Sequence, residues 1–296
     1  GSGNVLLGAN LVNGNTPISF SGPIGVTGKV TLEGSQITLS QDVNSSGGPR
    51  SLELRSTGNV ALAGVGNTSP LSTFAIRDLD GTAVSTLGGD INANGAVTIE
   101  TPILLASDVG ITGLGGVNLG STVDAAPSAT AGLTIQTETL AANLPVDPEA
   151  IPIIQLGGDI GATRALSHLE FNPIARDTVP QIASIVSLEG ISINSGTRFE
   201  MGRNDKFTAL GDISIVADQA ILGDLSALGD ISVQAGSISI LTRDGGTIVG
   251  PQAPGSDQGV DFVAKDRIDF STTPTLDPDG LVFMATESGG GFSSTL

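Results

Sequence analysis

The sequence predicts an all-β chain wound into a right-handed parallel β-helix, a solenoid of short strands with loop excursions. Three observations predict it. Apolar residues alternate with polar ones in brief runs, from Val30-Thr31-Leu32 to Ile238-Ser239-Ile240, and helical spacing is nearly absent. Gly, Asn, Asp or Ser bounds each run, and these residues supply turns and positive φ. Degenerate phrases recur: Leu-Gly-Gly-Asp-Ile at 87–91 and 156–160, and Ala-Leu-Gly-Asp-Ile-Ser at 209–214 and 227–232, the last two 18 residues apart. A repeat of this length cannot bury its own apolar side chains and must stack on its neighbours.

The elements follow in order. Gly1-Ser2-Gly3 reads as a cloning scar, and the repeat region spans 4–250. Its strands begin with Val30–Leu32, Ile37–Leu39, Leu52–Leu54, Val60–Leu62 and Val97–Ile99. They continue through Val117–Leu119, Leu133–Ile135, Ile191–Ile193, Ile213–Ile215 and Ile231–Val233. Each is expected to be three to five residues long, because β-branched alternation lasts no further. The step from Leu156 to Leu210 is 54 residues, read as three coils of 18. Coils of about 18 to 25 residues, roughly 12 to 15 of them, stack at about 4.8 Å into a rod of about 60–70 Å. The two helix candidates, Pro148–Ile151 and Ala217–Leu222, are both short.

Three stretches interrupt the rhythm. Pro127 lies in an insertion over 122–131. Pro145, Pro148 and Pro152 lie in one over 143–152. Pro251 and Pro254 border a loop over 251–259. Proline removes a ladder donor, so each stretch is expected to leave its coil as a loop. Residues 260–296 read as further coils or as the start of another module.

Other architectures fit less well. Outer-membrane barrels need strands of about ten residues and aromatic girdles, and Tyr and Trp are both absent. An immunoglobulin-type sandwich has longer, more widely spaced strands. Leucine-rich and calcium-binding nonapeptide repeats need signatures that are missing.

The runs GNVALAGVGNTSPLSTFAI (58–76), LGGDINANGAVTIETPILLASDVGI (87–111) and ALGDISVQAGSISI (227–240) resemble filamentous-haemagglutinin-type exoproteins, large bacterial surface adhesins. The likeness covers most of 25–250. It implies a secreted, non-catalytic β-helical rod at the cell surface; the opening Gly1-Ser2-Gly3 and the Gly-rich run from Ser288 to Gly291 read as the ends of a segment cut from a longer polypeptide. The family's export domain carries an Asn-Pro-Asn type motif. The one Asn-Pro here, Asn172-Pro173, is followed by Ile174, which points to an internal stalk segment.

Composition narrows function further. A net charge of −18 disfavours nucleic acid and unassisted binding to anionic membranes. No apolar run reaches 18 residues, so no membrane-spanning helix is expected. Without Cys, and with one His, thiol catalysis and multi-His metal sites are excluded. Gly-x-Ser-x-Gly, phosphate-loop and dinucleotide motifs are absent.

The candidate sites are carboxylates. Asp90, Asp159, Asp212, Asp224 and Asp230 each follow Gly. A row of them could collect Ca²⁺, but Asp in such places ordinarily accepts backbone N–H bonds in turns, as Asn59 would in the same slot. Asp78-Leu79-Asp80-Gly81 and Asp277-Pro278-Asp279-Gly280 resemble the opening of a calcium loop. Position 12 of that loop falls on Gly89 and Ser288, not Glu, so Asp78, Asp80, Asp277 and Asp279 are weak metal candidates, read as turns with weak calcium binding at most. Asp212 and Asp230 could face each other as a glycosidase pair, but the aromatic platforms of sugar grooves are missing. His168 adjoins Ser167, but strand alternation is expected to point them to opposite faces, with His168 beside Leu166 and Glu170. The sequons at Asn44 and Asn67 carry little weight in a bacterial setting. Several of the nine Phe are expected to stack inside the coil.

The resulting expectation is a non-catalytic stalk of a secreted cell-surface or biofilm-matrix adhesin, extracellular, with no cofactor. Its partners would be exopolysaccharide or another surface protein, and the isolated segment would be monomeric. The alternative is a polysaccharide-binding β-helix acting through its loops, with polysaccharide cleavage further behind.

Overall fold

In the computed structural model, the described residues are 5–138, 153–174, 184–187, 191–201, 206–209, 211–227, 229–240, 247–249, 260–270, 275–276, 281–285 and 292–294. All secondary structure among them is strand, and every strand pair is parallel. The chain is a β-solenoid. Its longest sheet stacks twelve strands, from Leu11–Val12 through Val30–Gly34 and Ser51–Ser56 to Thr275–Leu276. Eleven spacings of about 4.8 Å make that stack about 53 Å long.

Two further faces complete each coil. One is the six-stranded stack from Ile18–Phe20 to Val123–Ala125. The other begins with Val5–Leu7, Ile24–Val26 and Val43–Ser45. It passes through a single-residue bridge at Val65 into the sheet that starts at Ile91–Ala93. The triplets fold as alternation requires: Val60–Leu62, Val97–Ile99 and Ile103–Leu105 each bury their outer two residues and turn the middle one outward.

Inward residues stack in columns. One runs Ile18, Ile37, Val60, Ser85, Ile103, Val123, Ile160, Ile193, Ile215 and Val233, each in register with the next. The register continues through Phe262 and Phe283. Another runs Val30, Leu52, Phe74, Val97, Val117 and Ile154. The buried apolar residues from Ile18 to Ile240 form one cluster, with Phe74, Phe171, Phe199 and Phe207 among its largest members. Phe171 and Phe199 meet edge to face at 6.0 Å.

Several expectations are corrected. The later strands are not short: Ile191–Glu200, Ile213–Leu222 and Ile231–Ile240 each run ten residues. They continue the six-stranded face and the adjoining face in one bent strand. In Ile213–Leu222 two successive residues, Asp218 and Gln219, point outward, and this double step turns the corner inside a single strand. The same double step shifts the phase of Ala217, Ala220 and Leu222 so that their spacing imitates a helix. The Ala217–Leu222 helix is therefore strand, paired Ala217 with Ala235 and Leu222 with Ile240. Pro148–Ile151 lies outside the described residues.

The 54-residue step is also not three equal coils. Leu156 pairs with Ser187 and Ser187 with Ala209, giving coils of 187 − 156 = 31 and 209 − 187 = 22 residues. Only the next, Ala209 to Ala227, has 18. Coil length varies because extra residues collect at corners without disturbing the inward columns.

Of the stretch 122–131, Val123–Ala125 is a buried strand of the stack. The departure is a tight turn that follows it, with Ser128 at φ 67°. The insertion at 143–152 and the loop at 251–259 lie outside the described residues. Beyond 259, Val260–Phe270 and Leu281–Ala285 pair in register with the preceding coils and extend the same sheets.

Candidate functional site

The corners carry the polar chemistry. At several of them an Asx side chain reaches to the next coil and accepts its backbone N–H. Asn10 accepts from Thr31 (2.9 Å), Asp90 from Gly110 (2.7 Å), Asp108 from Gly132 (2.7 Å), Asp159 from Ser192 (2.9 Å) and Asp212 from Asp230 (2.9 Å). Asn44 and Asp124 each accept two such bonds. These groups staple coil to coil. The five Asp read from the sequence do not form one row: Asp90 and Asp159 lie at different corners, and Asp224 is buried at 4 % exposure. Asp212 and Asp230 do reach successive coils, joined through the Asp230 backbone.

Asp78 and Asp80 lie together in a turn that they themselves organise. Asp78 accepts the backbone N–H of Asp80, Gly81 and Ala83, and Asp80 accepts from the Thr82 backbone and hydroxyl. Asp277 and Asp279 lie outside the described residues. Among the described residues no three His, Asp or Glu groups converge as metal ligands do. The sequon amides are engaged as well: Asn67 donates to Asp42 (3.3 Å) and accepts from Asn92 (3.0 Å).

One corner seam opens into a concave groove of about 310 Å³. Four consecutive coils supply its lining. The lowest contributes Asp90 and Asn92. The next contributes Asp108, Gly110 and Thr112, then come Thr134 and Gln136, and His168 closes the row. The registers run Asn92 to Thr112 to Gln136 and Gly110 to Thr134, so the lining groups stand in files along the stack. Thr112 donates to Gln136 Oε1 (3.1 Å).

His168 corrects the sequence reading. A register shift between Leu166 and His168 breaks the alternation. Leu166 and Leu169 are both buried, and Ser167 and His168 are both half-exposed between them. The Ser167 hydroxyl therefore lies 3.2 Å from His168 Nδ1. Leu166 points inward, not beside His168. The imidazole lies over Gly132, where an added Cβ would fall 2.0 Å from His168 Cε1. Glycine at 132 is what lets the ring lie flat on the coil below.

Nothing in the sequence marks this groove. Its lining residues are 78 positions apart at the extremes, and the bulge that exposes His168 has no local signature.

No family model, no curated protein and no solved structure matches the chain.

Proposed function

We propose that the chain is a stalk segment of a large secreted protein of the bacterial cell surface or biofilm matrix, serving to space and present adhesive contacts and carrying out no catalysis. The observation that carries this reading is the column from Ile18 to Val233, in register at every level. A core of that kind makes a rod whose length grows with coil number while its cross-section stays constant. Such a body sets a distance. Its outer faces are polar and charged: Arg55 lies 3.2 Å from Glu53 and Arg77 3.5 Å from Glu53, in a ladder that Glu33 and Glu100 extend. The likeness of the coil pattern to filamentous-haemagglutinin-type exoproteins supports the same reading. The partners are exopolysaccharide or another surface protein.

Antibodies against the chain, applied to intact and to permeabilised source cells, test the proposal. Labelling of intact cells that is lost on mild protease shaving is expected. Labelling that requires permeabilisation overturns it.

A further inference from the structure

The seam groove has a property that spacing does not require. We propose that it is a binding site for a linear glycan carrying free amino groups, with one sugar unit lying against each coil.

The argument begins with the lining. Two carboxylates, Asp90 and Asp108, stand on successive coils. In each, Oδ1 is held by a backbone N–H of the coil above, which fixes the carboxylate in place. Around them are amides and hydroxyls, Asn92, Thr112, Thr134 and Gln136, which donate and accept as a sugar's hydroxyls do. Successive coils are about 4.8 Å apart, close to the length of one pyranose in an extended chain. A linear polymer along the seam therefore meets a carboxylate at each of the two lower coils, a hydroxyl and an amide at the third, and His168 at the fourth.

The charge selects the class of glycan. Among the described residues no Lys or Arg lines the groove, so acidic polysaccharides would bury unpaired charge against Asp90 and Asp108. Neutral sugars gain much of their affinity by stacking on aromatic rings. Among the described residues no Phe lines the groove, Trp and Tyr are absent from the chain, and the one ring present, His168, has a face against Gly132. Ammonium groups remain as the feature that this lining rewards, and a net charge of −18 raises their local concentration. Above the groove, Arg198 stands in register with His168 and ends the run of sites. At the floor Gly110 adds no side chain beside the Asp90 carboxylate, and the His168 ring covers Gly132.

The test uses the whole chain and a soluble β-1,4-linked glucosamine oligomer, its fully N-acetylated form and an oligogalacturonate, with binding measured by calorimetry. The glucosamine oligomer is expected to bind and the other two to fail. Asp90→Asn with Asp108→Asn keeps the Oδ1 acceptors and removes the charge, and should weaken binding at least about tenfold. Asp212→Asn with Asp218→Asn removes the same charge elsewhere on the rod and should leave binding unchanged. Thr134→Lys places an ammonium in the groove and should abolish binding while the circular dichroism spectrum stays that of the parent. Equal weakening by the two Asn pairs reveals a general polyanion and overturns the site. Equal binding of the acetylated form overturns the class, and no binding at all overturns both. None of these outcomes bears on the stalk role, which cell labelling tests separately.

Discussion

Asp124 shows how a single side chain holds this fold. It is 8 % exposed, and Oδ1 accepts the backbone N–H groups of Thr163 (2.8 Å) and Arg164 (2.9 Å), residues of the following coil. Asp124→Ala leaves two donors without their acceptor and should cost about 1–3 kcal/mol. Asp124→Asn keeps an oxygen in place and should cost less, as denaturant midpoints will show. Equal losses would mean that charge, not the acceptor, matters. Gly161 is the second case. Its φ is +73°, and an added Cβ would sit 2.2 Å from Asn194 O. Gly66 repeats this geometry against Asn92 O, and each follows a single-residue bridge, Ile160 or Val65. Gly161→Ala should therefore lose about 1–3 kcal/mol through strain. A thermal midpoint unchanged by the substitution would contradict this.

At the scale of the element, strands differ less in propensity than in what their inward positions meet. Ser85 is the one hydroxyl in an otherwise apolar column, and it is fully buried. Its hydroxyl pairs with that of Thr101 at 2.6 Å, and Thr101 is fully buried too. Ser85→Ala alone strands the Thr101 hydroxyl and should destabilise by about 1–3 kcal/mol. Ser85→Val together with Thr101→Val removes both hydroxyls and should cost less than the sum of the single changes, read as a coupling energy in a double-mutant cycle. Additive losses would show that the pair is not coupled. The bent ten-residue strands make the complementary point. In Ile213–Leu222 two outward residues in succession, Asp218 and Gln219, turn the chain inside one strand and keep both arms buried.

For the whole molecule, stability is a sum over coils and their interfaces. Residues 212–229 make up one 18-residue coil, since Ile213 pairs with Ile231 and Ala209 with Ala227. Deleting them joins Gly211 to Asp230 at equivalent stations. The product should fold, shorten by about 4.8 Å and melt cooperatively, as scattering and calorimetry will report. A collapsed or molten product would show that coils are not interchangeable units. Calcium is expected to act on the rod as a general cation. Asp78 and Asp80 already serve their own turn, so both calcium and magnesium should raise the melting temperature slightly and alike. A large rise with calcium alone would reveal a dedicated site.

The sequence by itself determined the fold class. Alternation in triplets such as Val97-Thr98-Ile99 leaves two apolar residues on one side, and a chain of such triplets can bury them only by stacking coils. It also marked the corners, because Gly and Asx turn where β-branched residues do not. Tertiary structure decided the register. The 54-residue step looked like three coils and holds two, because side-chain alternation is local while coil length is set by whatever collects at the corners. It also decided where His168 faces. One extra residue in a strand flips every later side chain, and no local signal marks that residue. The groove belongs to the same class of fact: Asp90, Asp108, Gln136 and His168 become neighbours only when four coils are laid one upon another.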